Sequence, residues 1–269
     1  MPELNAIVTQ RQDLAPGLMI MRVAAEGWEF PPFKPGQFAV LGLPPEAPRS
    51  AGSGAEEAGP APGGLIRRAY SIASSSRERE YLEFYLVEVP SGALTPRLFA
   101  LNAGDRLWVG PKFTGLFTLD QVAPERNLVF IATGTGLAPY MSMLRTHLNQ
   151  QPERRITVIH GARYSRDLGY RDELFHLQRD YPGFSYLPVI TRPKDNGEPW
   201  TGATGHLQEF WKSNPLQPVW GRRPDPADTD LFLCGNPAMV EELVKLLETE
   251  GFTEHTKARP GQIHFEKYW

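Results

Sequence analysis

The rhythm of apolar residues changes near Leu119, and that change constrains the fold more than any other feature of the chain. Before it, short strand-like runs alternate with turn formers. The runs are Met19 to Val23, Gln37 to Leu43, Leu65 to Ile72 and Leu82 to Val89, separated by pairs such as Pro31-Pro32 and Pro35-Gly36. Short strands with this punctuation predict a small antiparallel barrel or sandwich. After about Asp120 apolar strands alternate with helical stretches. Leu128 to Thr133 leads into Gly134-Thr135-Gly136 and a helix through Met141 and Leu144. Ile156 to Ala162 leads into a charged helical stretch around Asp172 to Asp180, and Phe184 to Thr191 is a third strand. Leu231 to Cys234 leads into an amphipathic helix, Pro237 to Glu250, and Ile263 to Trp269 reads as a terminal strand. Strands apolar on both sides and separated by helices predict a parallel sheet covered on both faces. The expected fold class is therefore β followed by α/β, with domains 1–120 and 121–269 presenting ligands to a shared cleft. The run PPEAPRSAGSGAEEAGPAPGG, residues 44–64, is poor in bulky apolar side chains. It reads as a flexible, disordered insertion in the first domain, because strand-like sequence continues on both sides.

Composition removes several function classes. A length of 269 residues suffices for two ordinary domains. The net charge of −3 argues against a general nucleic-acid binder, which carries a basic excess. No apolar run approaches the ~20 residues of a membrane helix, and the N-terminus does not read as a signal peptide. Cys234 is the only cysteine, so no intrachain disulfide and no cysteine-held metal or iron–sulfur cluster is expected. A cytoplasmic location follows by default.

Five segments carry possible chemistry. In Arg67-Arg68-Ala69-Tyr70-Ser71, alternation puts Arg68 and Tyr70 on one side of a strand and Ser71 on the other. A flavin dinucleotide needs an aromatic plane, a hydroxyl near its reactive nitrogen and a cation for its pyrophosphate, and these residues supply all three. An ordinary strand with a solvated Arg and a half-buried Tyr reads the same way. Gly134-Thr135-Gly136-Leu137-Ala138-Pro139 follows a buried strand and opens a helix, an arrangement that suits a phosphate but also a plain tight turn. Pro139 is tolerated in a first helical turn, although it stands where the dinucleotide fingerprint has its third Gly. Strand two ends in Arg163 and strand three in Arg192. Two guanidiniums at adjacent strand ends fit a phosphate; each alone reads as a solvated Arg. In Cys234-Gly235-Asn236-Pro237, Asn236 reads as a helix cap and Pro237 as the first helical residue. The same turn puts small groups where a nicotinamide could dock. The aromatic terminus His264-Phe265-Glu266-Lys267-Tyr268-Trp269 fits either core docking or a cover for a flat ligand, with Glu266 and Tyr268 on one face.

In this order, RAYS, FYLVEVPSGALTPRL, ATGTGLAPYMSML, HGARYSRDLGYRDEL, LCGNPAMVEEL and EKYW make the chain resemble the ferredoxin–NADP+ reductase family over essentially its whole length. The resemblance implies an N-terminal antiparallel Greek-key barrel for FAD and a Rossmann-like parallel α/β domain for NADP(H). It implies FAD contacts from Arg68, Ala69, Tyr70 and Ser71, a flavin-lining run Phe84, Tyr85, Leu86 and Val87, and pyrophosphate-side contacts from Gly92, Ala93 and Leu94. Thr135 would approach the flavin or nicotinamide. Ala162, Arg163, Thr191 and Arg192 would hold the 2′-phosphoadenosine. Gly235, Asn236, Pro237 and Met239 would form the nucleotide-binding turn of the fourth strand. Tyr268 would stack on the flavin and Trp269 near its adenine. Ser71, Cys234, Glu266 and Tyr268 match the surroundings of hydride transfer, and no metal is implied. The partners implied are ferredoxin or flavodoxin, docking transiently on a basic patch for which Arg67, Arg97, Arg106 and Lys112 are candidates, and the chain is expected to be a monomer. Two departures stand out. His206 follows Thr204-Gly205 where relatives often have Arg, with Lys194 a possible substitute, and the insertion has no counterpart. Two other activities share these domains: the reductase component of an oxygenase system, and a flavin-binding sensor without catalysis.

Overall fold

The computed structural model describes residues 3–56, 64–150, 153–195 and 197–268, with Gln150 through its backbone alone. The chain divides into two compact units. The first holds strands β1 (Ala6–Ala15), β2 (Leu18–Ala25), β3 (Phe38–Leu43), β4 (Ile66–Ser71), β5 (Leu82–Val87) and β6 (Arg106–Val109), with a short helix α1 (Thr95–Ala100). Their order is β4-β3-β6-β1-β2-β5, with every neighbouring pair antiparallel. A bridge between Ile72 and Phe84 joins the end of β4 to β5 and closes the sheet into a barrel. Met19, Met21, Leu41, Ile72 and Phe84 are among the side chains that fill it. The expected antiparallel barrel is therefore present.

Helix α2 (Ala138–His147) follows a strand of the second unit, yet its residues Ala138–Thr146 group with the barrel. The sequence reading put it in the second domain. The reason for the difference is a set of polar contacts invisible in a linear pattern. Arg145 donates to the Glu83 carboxylate at 2.6 Å and to the Ala73 carbonyl at 2.9 Å. Glu83, 1% exposed, also accepts from Arg22 at 2.7 Å. A carboxylate so buried is tolerable because two guanidiniums compensate it, and loss of either partner leaves an expensive charge. Gly36 is forced by close approach: a Cβ there would stand 1.9 Å from the Phe117 carbonyl oxygen and 2.7 Å from Met143, at a φ of +97°.

The insertion differs from its expectation over residues 44–56; residues 57–63 lie outside the described ones. Ala47 packs on the barrel core. Arg49 donates to the carbonyls of Gly92, Pro90 and Gly54, each at 2.9 Å. Fixed hydrogen bonds from charged donors hold this stretch, an anchor that a count of apolar side chains does not register.

The second unit holds β7 (Asn127–Thr133), β8 (Ile156–Ala162), β9 (Phe184–Ile190), β10 (Ala203–Thr204), β11 (Thr229–Gly235) and β12 (Ile263–Lys267). The order is β10-β9-β8-β7-β11-β12, and all pairs are parallel. Every residue of β11 is buried, as a strand covered on both faces requires. Helices α3 (Arg171–Asp180), α4 (Leu207–Lys212), α5 (Gln217–Trp220) and α6 (Pro237–Thr249) accompany the sheet. Leu243 and Leu247 of α6 join Val129, Ile131 and Leu233 of the strands in one core. Because all strands run the same way, their C-terminal ends share one edge, where the loops carry the residues singled out in the sequence. Among the described residues no helix is long and apolar enough to cross a membrane.

Candidate functional site

The C-terminal edge of the parallel sheet brings three predicted residues together. The register aligns Glu266 with Cys234, Cys234 with Ala132, and Ala132 with His160 across β12, β11, β7 and β8. Tyr268 hydrogen-bonds the Cys234 side chain, and its backbone N–H donates to the Gly235 carbonyl at 3.0 Å. Burial pushes the Cys234 thiol well up, the nearby Glu266 pushes it further, and the Tyr268 hydrogen bond opposes both. The thiol is therefore protonated and is no nucleophile. Burial likewise pushes the Glu266 carboxyl up to about 7, and its Oε2 is buried with no hydrogen-bond partner. A carboxyl poised near neutrality beside an unused acceptor is a group able to take or give a hydrogen bond at physiological pH.

Two turns flank this row with bare backbone. The 3₁₀ turn Gly134–Leu137 leaves β7, and Gly235-Asn236 leaves β11. A Cβ on Gly136 would lie 2.4 Å from the Cys234 carbonyl oxygen, so only Gly lets the two turns touch. Thr133 Oγ1 accepts from the Asn236 N–H at 2.8 Å and ties the turns together. Asn236 caps α6 as expected, accepting from the N–H groups of Ala238 and Met239, with Pro237 in the first turn. Thr135 and Met239 are buried beside these turns.

His160 is a residue whose role the sequence did not reveal. It is fully buried, and desolvation lowers its pKa to about 4. Its Nε2 lies 3.1 Å from the Gly134 carbonyl, which can only accept, so Nε2 carries the proton. Nδ1 then accepts from the Tyr186 hydroxyl at 3.4 Å. A neutral imidazole thus holds the first glycine of the turn in place.

A cationic cluster lies further along the same edge. The Thr191 and Arg192 N–H groups donate to the carbonyls of Ala162 and Arg163, both at 3.0 Å, so the loops after β8 and β9 run on side by side. Arg163 and Arg192 are exposed. Between them in sequence stands Tyr164, not singled out before. The Arg166 guanidinium sits over its ring at 4.1 Å, and Arg192 donates to its hydroxyl at 3.3 Å. An aromatic ring with cations around it is recognisable only once the loop is folded. Gly205 donates to the Ile190 carbonyl at 3.0 Å, which sets the exposed His206 at the same edge as the N-cap residue of α4.

The first unit carries the other candidate residues. On β4, Arg68 and Ala69 are exposed, Tyr70 is half-buried against the barrel core and Ser71 is buried. Burial pushes the Tyr70 hydroxyl far above its ordinary value, with Arg68 opposing, so Tyr70 is neutral. On β5, Phe84, Tyr85 and Leu86 are buried and Val87 is half-buried. Phe84 and Leu86 belong to the barrel core, so their side chains serve packing. Gly92 begins the turn before α1; a Cβ there would crowd the Val89 carbonyl at 3.0 Å and Thr95 Oγ1 at 3.3 Å. The Ala93 carbonyl accepts from Arg97 at 2.5 Å. Leu94 is buried in the core. Trp269 lies outside the described residues.

Residues 130–245 match the model of the oxidoreductase NAD-binding domain family. The chain is 35% identical over 240 residues to the flavodoxin/ferredoxin–NADP reductase of Escherichia coli (strain K12), covering 88% of both proteins. The chain belongs to the flavodoxin/ferredoxin–NADP reductase family. Another relative, the ferredoxin–NADP reductase of Pseudomonas aeruginosa, is 32% identical over 87% of this chain and 86% of its own length. The fold is also that of a Neisseria gonorrhoeae ferredoxin NADP+ reductase solved with bound FAD and NADP. That match has a TM-score of 0.80 at 24% identity and covers 98% of this chain and 97% of the other. Within this reductase family frame, one candidate docking residue requires correction. Arg97 is 5% exposed and is spent on Pro45, Ala93 and Glu56, so it is no surface cation. Arg106 pairs with Glu26 at 2.6 Å, whereas Arg67, resting over Trp108, and Lys112 are exposed.

Proposed function

We propose that the chain is an FAD-dependent oxidoreductase that moves electrons between NADPH and ferredoxin or flavodoxin. Family membership supports the reading, and the observation that carries it is the row of Glu266, Cys234 and Tyr268 beside two bare-backbone turns. The residues present fit both groups. The partnerless buried Oε2 of Glu266 suits a ligand donor such as a carboxamide N–H. In the turn that opens α2, a Cβ on Gly134 would meet no atom within 4 Å, and such open glycine backbone suits close approach of a nucleotide. On β4 the exposed Arg68 beside the neutral Tyr70 ring suits a flat ring carrying a pyrophosphate.

Bound FAD supplies the conversion between a two-electron hydride and single electrons. The chain's own groups bind and orient. Tyr70 offers a stacking plane, Ser71 a hydroxyl and Arg68 a cation. Gly92, Ala93 and Leu94 face the pyrophosphate through backbone. Arg163, Arg192 and the ring of Tyr164 hold the 2′-phosphoadenosine, with Ala162 and Thr191 as neighbours. Thr135, Gly235, Asn236, Pro237 and Met239 border the nicotinamide end. Glu266 would accept from the carboxamide, and Cys234, protonated and small, would leave room for a nicotinamide beside it. Tyr268, bonded to Cys234, would have to give way for a nicotinamide to reach that place. We assign FAD binding to the first unit and NADP binding to the second.

The partner is proposed to dock transiently through exposed cations such as Arg67 and Lys112, with the enzyme a cytoplasmic monomer. Stopped-flow mixing of the purified yellow protein with NADPH tests the reading directly. Flavin bleaching by NADPH and turnover with ferricyanide, flavodoxin or ferredoxin are expected, the carrier rate falling as salt rises. Protein that takes up FAD but is never reduced by NADPH would be a binding module and not an enzyme.

A further inference from the structure

The glycine turn before α1 is held from outside the barrel by the segment that precedes β4. Arg49 is the centre of this attachment. Its Nη1 donates to the Gly92 carbonyl, and its Nη2 donates to those of Pro90 and Gly54, each at 2.9 Å. Arg97 is a second fastening. Its Nη1 donates to the Ala93 carbonyl at 2.5 Å, and its Nη2 to the Pro45 carbonyl at 2.6 Å. Glu56 joins the two guanidiniums, 3.1 Å from Arg97 and 3.7 Å from Arg49. Ser50 adds backbone and side-chain bonds: its N–H donates to the Pro96 carbonyl at 2.9 Å, and its hydroxyl bonds the Glu88 carboxylate.

The direction of these bonds matters. Both arginines donate to carbonyls of residues 90–93, and the Gly92 N–H is itself bonded to the Val89 carbonyl at 2.8 Å, so the donors the turn can offer a ligand are those of Ala93 and Leu94. With its carbonyls tied back, the turn can offer the Ala93 and Leu94 N–H groups to a pyrophosphate, which requires donors. A short Gly-containing turn is otherwise free to reorient its peptide planes, and binding would have to order it.

We infer that residues 45–56 form a strap that pre-orders the Gly92–Leu94 turn for the FAD pyrophosphate, with Arg49 as the positioning residue. This rests on the proposed FAD site in the barrel. Arg49 touches no cofactor in this account; it acts through the turn. The strap replaces ordering that the cofactor would otherwise have to impose, so it raises affinity for FAD and slows its release.

Flavin fluorescence titration of apoprotein with FAD and with FMN tests the inference, using wild type, Arg49→Ala, Arg49→Lys and Glu56→Gln. FMN lacks the second phosphate and the adenosine, so it reports the ring site alone. The expected result for Arg49→Ala is an FAD dissociation constant raised about tenfold, with FMN affinity unchanged and FAD release faster. Arg49→Lys, able to reach one carbonyl, is expected to recover part of the loss, and Glu56→Gln to show a smaller one. Equal weakening of FAD and FMN, or unchanged FAD affinity with a lowered melting temperature, overturns the strap and leaves Arg49 a general stabiliser. Should Arg49→Ala fail to fold, the Lys and Glu56 variants carry the same comparison. Wild-type protein that takes up neither flavin would instead refute the proposed FAD site itself.

Discussion

Replacing Glu266 by Gln should stabilise the protein, and by an amount that depends on pH. Burial lifts the folded-state carboxyl from 4.5 to about 7. Below pH 4.5 the acid is protonated folded or unfolded, and burial of the neutral form carries no extra penalty. Between 4.5 and about 7 the unfolded chain ionises while the folded one keeps its proton, so stability falls as pH rises. Above about 7 the folded protein holds a carboxylate whose Oε2 has no partner, and the penalty is constant. Two and a half decades at about 1.4 kcal/mol each give roughly 3.5 kcal/mol at full ionisation. Gln keeps the shape of the neutral acid and cannot ionise. Urea unfolding of wild type and Glu266→Gln should therefore give nearly equal stabilities at about pH 4.5, with the variant more stable by roughly 3 kcal/mol at about pH 8. A difference that stays constant across that range would show that Glu266 is ionised and solvated throughout. The reasoning from its buried, unpartnered oxygen would then fail.

The cationic loop makes a coenzyme prediction: Arg163→Ala should raise the Michaelis constant for NADPH far more than that for NADH, since a guanidinium–phosphate bond is worth about 1.5–3 kcal/mol. Equal losses for both nucleotides would assign Arg163 to the fold. His206→Arg should sharpen the NADPH preference, measured as the ratio of kcat/KM for the two coenzymes. Tyr268→Ser should tighten nicotinamide binding by vacating its place beside Cys234, read from NADP+ and NAD+ difference spectra; unchanged affinity for both would mean the ring is only a plug.

The sequence was most legible where burial is continuous. The strands β7, β8 and β11 announce themselves because a strand covered on both faces has no polar side to interrupt it. The cap Asn236-Pro237 was equally readable, since its chemistry is local. Strand β1 was not among the strands read, and the burial of its ten residues shows why: beyond Ala6 and Val8 it is exposed or half-exposed, and its pairing with β2 is bulged. The insertion and Arg97 misled for a common reason. Composition registers the absence of apolar side chains and the presence of charge, but a guanidinium's partner is here 41–52 residues away for the bonds that matter. The same holds for the site. Glu266 and Tyr268 were visible as a terminal motif. His160, Tyr164 and Arg166 gained meaning only from the parallel register and the loops it brings side by side.

The assignment of α2 to the barrel bears on how this protein can be taken apart. The chain passes from the first unit to the second after Thr118, back at Ala138 and forward again after Thr146. No single cut therefore yields two whole modules. A fragment ending near residue 120 would keep Glu83 and Arg22 but lose Arg145, leaving a buried carboxylate half neutralised. The complementary fragment would carry a helix without the surface that Tyr140 and Met143 are buried in. Exchange of nucleotide-binding halves between relatives by a crossover at that junction would have to carry a matched helix with each barrel.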